Sequence, residues 1–326
     1  MPGLKRILFK LAQLVFVLWA VATILFLMFR LMPGNPLAAY IDPNFTEEQQ
    51  AILMQQFGLD RPLHEQYVIY LWNMLHGELG YSYFYRAPVW DIIWSVFPNT
   101  LVLTLTALIV AYIFGVLGGA LLAYKRGTWI ESVGIPIVLT TRAAPEFWLG
   151  MLLLATFSFA LGWFPAGGAA SPGATFSGSF DRYFSYDFLL HLTLPAVTLA
   201  IYLQGLPLLL MRSNMLDVLN EDFVTMARMK GLSEWTVVVR HAARNALLPV
   251  LTAFAIGIGY SIGGNVVIET VFSWPGLGRL LVKAVSSSDY PLAQGAFLLI
   301  ATVMIVMNAV ADLLYGVLDP RVSHGK

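Results

Sequence analysis

The sequence lacks cysteine entirely and is poor in charged residues. Without cysteine, disulfides, thiolate metal sites and cysteine nucleophiles are excluded. Charged residues make up 12% of the chain and hydrophobic residues 58%, whereas soluble proteins carry about 25% charged residues. The formal net charge is zero, so there is no basic excess of the kind that binds nucleic acid. The composition excludes a soluble globular protein and predicts an integral membrane protein.

Two further absences limit the chemistry of the chain. No G-x-x-x-x-G-K-[ST] phosphate loop occurs, so we do not expect the chain to bind ATP through that motif. The five histidines are scattered and never paired at metal-ligand spacing on one element, and no Ser/His/Asp set is plausible. We therefore expect no metal, no cofactor and no catalytic residue. The energy for any transport must come from another subunit or from an ion gradient.

The sequence contains apolar stretches long enough to cross ~30 Å of hydrocarbon as helices of about 20 residues. No segment shows the sustained alternation of a membrane β-strand. The expected fold is therefore an all-α integral membrane bundle with six transmembrane helices. The predicted spans are Leu11–Phe29, Leu101–Tyr124, Ser132–Gly162, Phe188–Met211, Asn245–Ile268 and Tyr290–Leu318.

The loops between these spans indicate an orientation. With the N-terminus inside, lysine and arginine are more numerous in the cytoplasmic loops than in the outer ones. The positive-inside rule then predicts that both termini are cytoplasmic. The predicted organisation is an N-terminal anchor helix over residues 1–32, an outer helical segment over 33–98 and a five-helix core over 99–326, which includes a cytoplasmic segment at 212–244 and an outer loop at 269–289.

The cytoplasmic segment contains the pattern of a short capped helix. Acidic residues stand in its first turn, a basic residue stands in its last turn, and a glycine follows as a left-handed cap. An aromatic residue and an alanine four positions later share one face. Such a helix suits a groove on another protein, and the alternative is an ordinary helix at the membrane surface. The residues of this candidate docking helix are Glu221, Asp222, Phe223, Ala227, Arg228 and Gly231.

Several polar residues fall inside predicted spans. Arg142 and Glu146 are one helical turn apart in the third span, where a charge costs about 2.5–3.5 kcal/mol on insertion scales. They are expected either to line a solute pathway or to pair with each other or with a partner. Asn265 and Glu269 share one face at the outer end of the fifth span, as pathway lining or as caps at the water boundary. Gln204, in a stretch with glycine and proline, is expected to mark a kink that lines the pathway.

At the docking helix the sequence resembles a known family. The segment Glu221–Pro249, with its Ala227 and Gly231, is similar to the permease signature of bacterial ABC importers. The signature begins Glu-Ala-Ala in the family and departs here, and the third span carries Arg142 and Glu146 where the family has an uncharged stretch. Further motifs in the family's order are Arg30-Leu31-Met32-Pro33-Gly34-Asn35-Pro36, Phe57-Gly58-Leu59-Asp60-Arg61-Pro62-Leu63, Val271-Phe272-Ser273-Trp274-Pro275-Gly276-Leu277-Gly278-Arg279-Leu280 and Asp312-Leu313-Leu314-Tyr315-Gly316-Val317-Leu318-Asp319-Pro320-Arg321.

The resemblance is to the first of the two permease subunits of dipeptide and oligopeptide importers. It implies a multi-pass protein of the bacterial inner membrane, in contact with lipid, whose coupling helix docks on an ATPase. It also implies a second permease subunit that is a different chain, two ATP-binding subunits and an extracytoplasmic solute-binding protein. The permease itself would not be an enzyme, because its partners hydrolyse ATP.

Three alternatives remain at this stage. The same machinery carries glutathione, nickel chelates or sugar conjugates in other members of the family. An ion-coupled secondary transporter would need membrane-buried carboxylates, for which only Glu146 is a fair candidate. A purely structural or insertion-assisting membrane protein would not explain why the family's motifs occur in order.

Overall fold

The computed structural model describes residues 2–31, 46, 60–82, 84–261 and 265–318. This described part is mainly helical, with one two-stranded antiparallel sheet that pairs Tyr81 with Pro88. In chain order the elements are α1 (Pro2–Arg30), α2 (Leu63–Leu75), β1 (Tyr81–Ser82), β2 (Ala87–Pro88), α3 (Val89–Tyr124), α4 (Trp129–Ala143), α5 (Glu146–Leu153), the π-helix π1 (Leu154–Ala160), α6 (Ser179–Phe184), α7 (Tyr186–Leu203), α8 (Gly205–Val218), α9 (Asp222–Met229), α10 (Glu234–Thr236), the π-helix π2 (Val237–Ala242), α11 (Ala243–Ser261), α12 (Val266–Val271), α13 (Leu277–Ser286) and α14 (Tyr290–Leu318).

Within the described residues, five helices are long and apolar enough to cross a membrane, and one bent pair makes a sixth candidate. The prediction of a helical chain with membrane-length apolar helices is therefore confirmed. The five helical stretches are Leu8–Arg30, Val89–Tyr124, Tyr186–Leu203, Glu234–Ile258 and Tyr290–Val310, and the bent pair is Trp129–Ala143 with Glu146–Ala160.

The prediction of a continuous third span from Ser132 to Gly162 is wrong. Helix α4 ends at Ala143, and the helix that follows it is bent away by 103°. Proline at position 145 explains the break, because its ring excludes the α conformation of the residue before it. Ala144 accordingly has an extended backbone, with φ −67° and ψ 137°.

The predicted fifth span, Asn245–Ile268, also differs from the structure. Helix α11 ends at Ser261 and a separate helix, α12, begins at Val266. Residues 262–264 between them lie outside the described residues, as do residues 33–45, 47–59 and 83 of the predicted outer segment. The apolar stretch of membrane length is Glu234–Ile258, which begins before the predicted span.

One compact unit comprises the described residues within Met1–Thr100 and Pro275–Ala309. Ser82 of β1 is fully buried there, and its Oγ donates a hydrogen bond to Asp289 Oδ2. Asp289 also accepts a hydrogen bond from the backbone N–H of Leu292 in the first turn of α14. This carboxylate therefore fastens the small sheet to the start of α14.

The second unit comprises the described residues within Leu101–Trp274 and Val310–Lys326. Its largest buried side chain, Trp274, packs edge-on against Phe188 of α7, with ring centroids 5.5 Å apart. Leu103 of α3 belongs to the same buried cluster. The cluster holds α3 and α7 together, and both helices contribute to the cavity described below.

Small residues bring α3 and α8 close together within the second unit. A Cβ added to Gly115 would lie 2.8 Å from Pro207 Cγ, and one added to Gly119 would lie 2.8 Å from Met211 Cβ. Such distances are too short for a larger residue at either position. Glycine therefore allows the close helix packing that is common inside membranes, and this packing fixes the start of α8.

Candidate functional site

Arg142 and Glu146 are separated by the helix break and form no ion pair with each other, which was one of the two alternatives for these residues. Arg142 lies in the last turn of α4, whereas Glu146 opens α5 on the other side of the 103° bend. Within the described residues, no ion pair joins the two side chains or connects either of them to another group. The prediction that they share one helical face is therefore wrong, because Pro145 turns the chain between them.

Arg142 instead lines a cavity of 490 Å³ inside the second unit. It is the one charged residue among those of the described chain that line this cavity. The other walls are apolar or aromatic, and they come from four different helices. The lining residues include Leu108 and Tyr112 of α3, Arg142 of α4, Tyr202 of α7, Leu206 of α8 and Gly257 of α11.

The packing around Arg142 depends on a glycine in the adjacent helix. A Cβ added to Gly205 would lie 3.1 Å from Arg142 Cδ and 3.4 Å from Arg142 Cβ. On the opposite wall, Tyr112 packs edge-on against Phe254, with ring centroids 4.9 Å apart. The absence of a side chain at position 205 therefore leaves the space through which Arg142 reaches the cavity.

Gln204 and Glu146 do not line this cavity. Gln204 separates α7 from α8, and the helical hydrogen bonds continue across it, from Gln204 N–H to Ala200 O at 2.9 Å and from Leu208 N–H to Gln204 O at 3.1 Å. Its side chain is half-buried, as is that of Glu146. Helix α7 ends before Gln204 and α8 begins after it, and the backbone of Gln204 keeps helical angles of φ −62° and ψ −21°. The kink expected at Gln204 stays a prediction.

Asn265 and Glu269 lie on α12, also outside the cavity with Arg142. Asn265 precedes the first turn, and its Nδ2 donates to Thr104 Oγ1 at 3.3 Å. Glu269 is fully buried, and its N–H donates to Asn265 O at 2.9 Å. The two residues are one turn apart as predicted, but on a separate short helix rather than at the end of the fifth span. The five predicted pathway residues therefore do not converge on one site.

The candidate docking helix is present as α9, and it ends as the sequence predicts. Gly231 has φ +76°, in the left-handed region. Its N–H donates to Arg228 O at 2.9 Å, and the N–H of Leu232 donates to Ala227 O at 3.4 Å. This pair of hydrogen bonds is the Schellman motif, which satisfies the last carbonyl groups of a helix.

The exposed face of α9 differs from the face that the sequence suggested. Ala227, which was paired with Phe223 as a docking face, is 6% exposed and packs with Val224 against Val237. The residues that protrude are Phe223, Met226 and Met229, with exposures of 40%, 52% and 76%. We refer to these three residues as the α9 surface.

An ion pair fixes α9 against the element that follows it. Arg228 donates from Nη2 to Glu234 Oε1 at 2.7 Å and from Nε to Glu234 Oε2 at 3.2 Å. The hydrogen bond to Glu234 raises the pKa of Arg228. The sequence analysis missed Met226, Met229 and the ion-pair partner Glu234. The two methionines are three positions apart in a charged segment, and this spacing indicates neighbouring side chains on a helix.

The described chain thus combines helices of membrane length with a cavity that has one charged residue among its described lining residues, which is typical of a membrane transport protein. Residues 115–324 match the family model described as binding-protein-dependent transport system inner membrane component. Residues 4–104 match the model for the N-terminal part of such membrane components. The chain therefore belongs to the family of binding-protein-dependent transport system inner membrane components.

Full-length relatives have similar sequences. The chain is 39% identical to a di/tripeptide transport system permease, DppB, of Pseudomonas aeruginosa, over 97% of both chains. It is 39% identical to a glutathione transport system permease, GsiC, of Salmonella choleraesuis, over 98% of this chain and 99% of that one. It is also 39% identical to a putative peptide permease of Brucella suis, over 98% of both chains.

Solved structures support the fold. The chain matches an inward-facing MetNI methionine ABC transporter with a TM-score of 0.51 and 14% identity, over 70% of this chain and 96% of that one. It matches an amino acid ABC transporter solved with histidines at a TM-score of 0.51 and 17% identity, over 71% and 94% of the two chains. At these identities the likeness shows the fold alone.

Family membership settles the class of protein. The chain is a permease subunit of an ABC importer in the bacterial inner membrane, and it crosses that membrane more than once. Members of the family work with a partner permease, ATPases and a binding protein, so ATP hydrolysis belongs to a separate subunit and this chain is not an enzyme. The ion-coupled transporter that works alone is therefore excluded as an alternative.

Proposed function

We propose that this chain forms one half of the translocation pathway of an ATP-driven importer for dipeptides and oligopeptides. The solute class is supported by relatives that match over nearly the whole chain and are named for di/tripeptides, peptides and glutathione. In this proposal the second permease is a different chain, and an extracytoplasmic binding protein delivers the solute. In this proposal the outer segment 33–98 and the outer loop 269–289 face the binding protein.

The α9 surface is the proposed contact with one of two ATP-binding subunits. Its exposed apolar side chains stand on a helix that Val224 and Ala227 anchor and that ends at the Gly231 cap. Three large apolar side chains exposed side by side on a short helix favour burial against another protein. This arrangement is the observation that carries the assignment of a coupling element.

A continuous helical path connects the α9 surface with the cavity. Val224 and Ala227 of α9 pack on Val237, which begins π2. The chain then runs through π2 into α11, whose Ala253, Ile256 and Gly257 line the cavity. In the proposed alternating-access cycle, closure of the ATPases on ATP moves α9, and α11 carries that displacement to the cavity walls.

The proposed topology counts the bent pair α4 and α5–π1 as one span, which gives six spans with both termini in the cytoplasm. The charge distribution of the loops supports this orientation. Arg142 is the proposed pathway residue of this half of the transporter, because it lines the cavity. Pathway roles for Glu146, Gln204, Asn265 and Glu269 stay predictions.

Reconstitution tests the proposal. The chain is co-expressed with its second permease and ATP-binding subunits, placed in proteoliposomes, and supplied with binding protein and a labelled tripeptide. We expect uptake that requires ATP and the binding protein, and ATP hydrolysis that rises when the loaded binding protein is added. Uptake driven by a proton gradient without ATP, or no uptake of any peptide, would contradict the proposal.

A further inference from the structure

Arg142 is a cation in the last turn of α4, the first helix of the bent pair that forms a candidate membrane span. It lies about 20 Å along α4 from Trp129, at the helical rise of 1.5 Å per residue, next to the 103° break between the two helices of that candidate span. No carboxylate of the described chain pairs with it. An ionised side chain inside a membrane protein is costly, and it is typically retained where it meets a partner of opposite charge.

The cavity supplies hydrogen-bond donors but no carboxylate. Besides Arg142, its polar groups are the phenol hydroxyls of Tyr112 and Tyr202. Neither hydroxyl has a hydrogen-bond partner among the residues that the structure describes, and no aspartate or glutamate is among the lining residues. These walls complement an anionic group, and they offer no countercharge for an ammonium group.

Arginine is the side chain best suited to a carboxylate. Its planar guanidinium makes two parallel hydrogen bonds to the two carboxylate oxygens, which a lysine does not reproduce. Gly205 leaves the room for the Arg142 side chain to enter the cavity. The cavity measures 490 Å³, which falls within the usual range of about 300–1,000 Å³ for small-molecule sites.

We infer that Arg142 binds the free carboxylate of the transported solute while the solute crosses the membrane, with Tyr112 and Tyr202 as further donors. This inference rests on the proposed function, and it narrows the solute to molecules with a free carboxylate. The permease then contributes its own selection, separate from that of the binding protein. It recognises the carboxyl end of a peptide, whereas the amino end meets no charged group of this cavity.

The test compares a tripeptide with its C-terminal amide in proteoliposomes that hold the complete transporter and binding protein. Uptake of both peptides is measured for the wild type, Arg142→Gln and Arg142→Lys, with Arg126→Gln as the control for loss of an exposed arginine. The ratio of amide uptake to carboxylate uptake is compared between variant and wild type, so that any preference of the binding protein cancels.

We expect Arg142→Gln to reduce uptake of the free peptide by about 10- to 100-fold, the range of a charged hydrogen bond. Uptake of the amide should not change, and ATP hydrolysis stimulated by the loaded binding protein should persist. Arg142→Lys should keep part of the preference, and Arg126→Gln all of it. If Arg142→Gln does not assemble, Arg142→Lys supplies the same comparison of the two peptides.

Two outcomes would overturn the inference while leaving the proposed function intact. An unchanged ratio in Arg142→Gln and Arg142→Lys would mean that Arg142 does not touch the solute carboxylate. An equal loss of both peptide forms would assign Arg142 to a structural contact, such as an ion pair with the partner permease. Absence of ATP-driven uptake for any peptide in the wild type would instead contradict the proposed function itself.

Discussion

Arg142 passes directly over Gly205, and a Cβ at position 205 would stand 3.1 Å from the Cδ of the arginine. Arg142 belongs to the last turn of α4, and Gly205 is the first residue of α8. The position of the Arg142 side chain depends on both helices, because it occupies the space that a side chain at position 205 would fill. The pair thus connects the residue at the helix break with the start of α8.

Replacing Gly205 should displace Arg142 and impair transport. A Cβ at position 205 would lie 3.1 Å from Arg142 Cδ, which is shorter than the separation of about 3.5–4.0 Å at which carbon atoms pack best. We therefore expect Gly205→Ala to cause a modest loss of uptake and Gly205→Val a loss of about tenfold. The measurement is the initial rate of peptide uptake at equal expression. The matched control is Gly178→Ala, whose Cβ would have no atom within 4 Å and whose backbone is extended, with φ 177°. Normal uptake by Gly205→Val would show that Arg142 does not need this space.

Gly231→Val should weaken coupling through the backbone alone. Gly231 has φ +76°, and no atom lies within 4 Å of the position that a Cβ would take. A β-branched residue there costs about 1–3 kcal/mol in backbone strain, so the end of α9 should loosen while the membrane part assembles. We expect the ATP hydrolysis stimulated by loaded binding protein to fall several-fold. Gly231→Asn should restore most of it, since asparagine tolerates this conformation. Equal activity of the valine variant and the wild type would exclude a role for the capped end of α9.

Much of the helical framework follows from the sequence. An apolar run of about 20 residues has few alternatives to a membrane helix, because every backbone group must be satisfied internally. The end of α9 was predictable for a similar local reason, since Gly231 follows a short run of helix-forming residues. Such features depend on one segment and its nearest neighbours.

The remaining features depend on contacts between segments. The break at Ala144 had a local signal, because the residue before a proline avoids the helical conformation. The third span was predicted from the length of its apolar stretch, and that criterion does not register a single proline. The buried side of α9 had no such signal, since apolar residues occur on all of its faces. Val224 and Ala227 are buried because Val237 packs on them. The absence of an ion pair between Arg142 and Glu146 likewise depends on the bend that separates the two residues.

Charges introduced on the α9 surface should prevent association with the ATP-binding subunit. Met226 and Met229 are 52% and 76% exposed, so Met226→Asp with Met229→Asp should leave the fold of this chain intact. An unpaired charge buried in an apolar interface is costly, and we expect association at least about tenfold weaker. Co-purification of the ATP-binding subunit measures it. Ser213→Asp, at an exposed position of α8, controls for added charge. Full retention of the ATP-binding subunit by the double variant would place its docking site elsewhere.

The proposed topology predicts from which side of the membrane a reagent can label each loop. The chain has no cysteine, so a single introduced cysteine reports its own position without background. Thr175→Cys lies in an exposed loop between π1 and α6, and an impermeant maleimide should label it in intact spheroplasts. Ser323→Cys near the C-terminus should be labelled only after permeabilisation. Labelling of both cysteines from the same side would contradict six spans with cytoplasmic termini.

The ion pair between Arg212 of α8 and Glu131 of α4 should matter more for assembly than for transport. Arg212 donates from Nε to Glu131 Oε1 at 2.9 Å, and the N–H of Gly127 donates to Glu131 Oε2 at 2.7 Å. The side chains are only 25% and 12% exposed, so removing the arginine strands a carboxylate that retains a single backbone donor. We expect Arg212→Gln to lower the midpoint of thermal unfolding in detergent by several degrees. Glu131→Gln should lower it as well, because the single amide oxygen can accept from Arg212 or from Gly127 but not from both. The double variant should lie close to Arg212→Gln. Strictly additive effects in this cycle would show that the two side chains act independently.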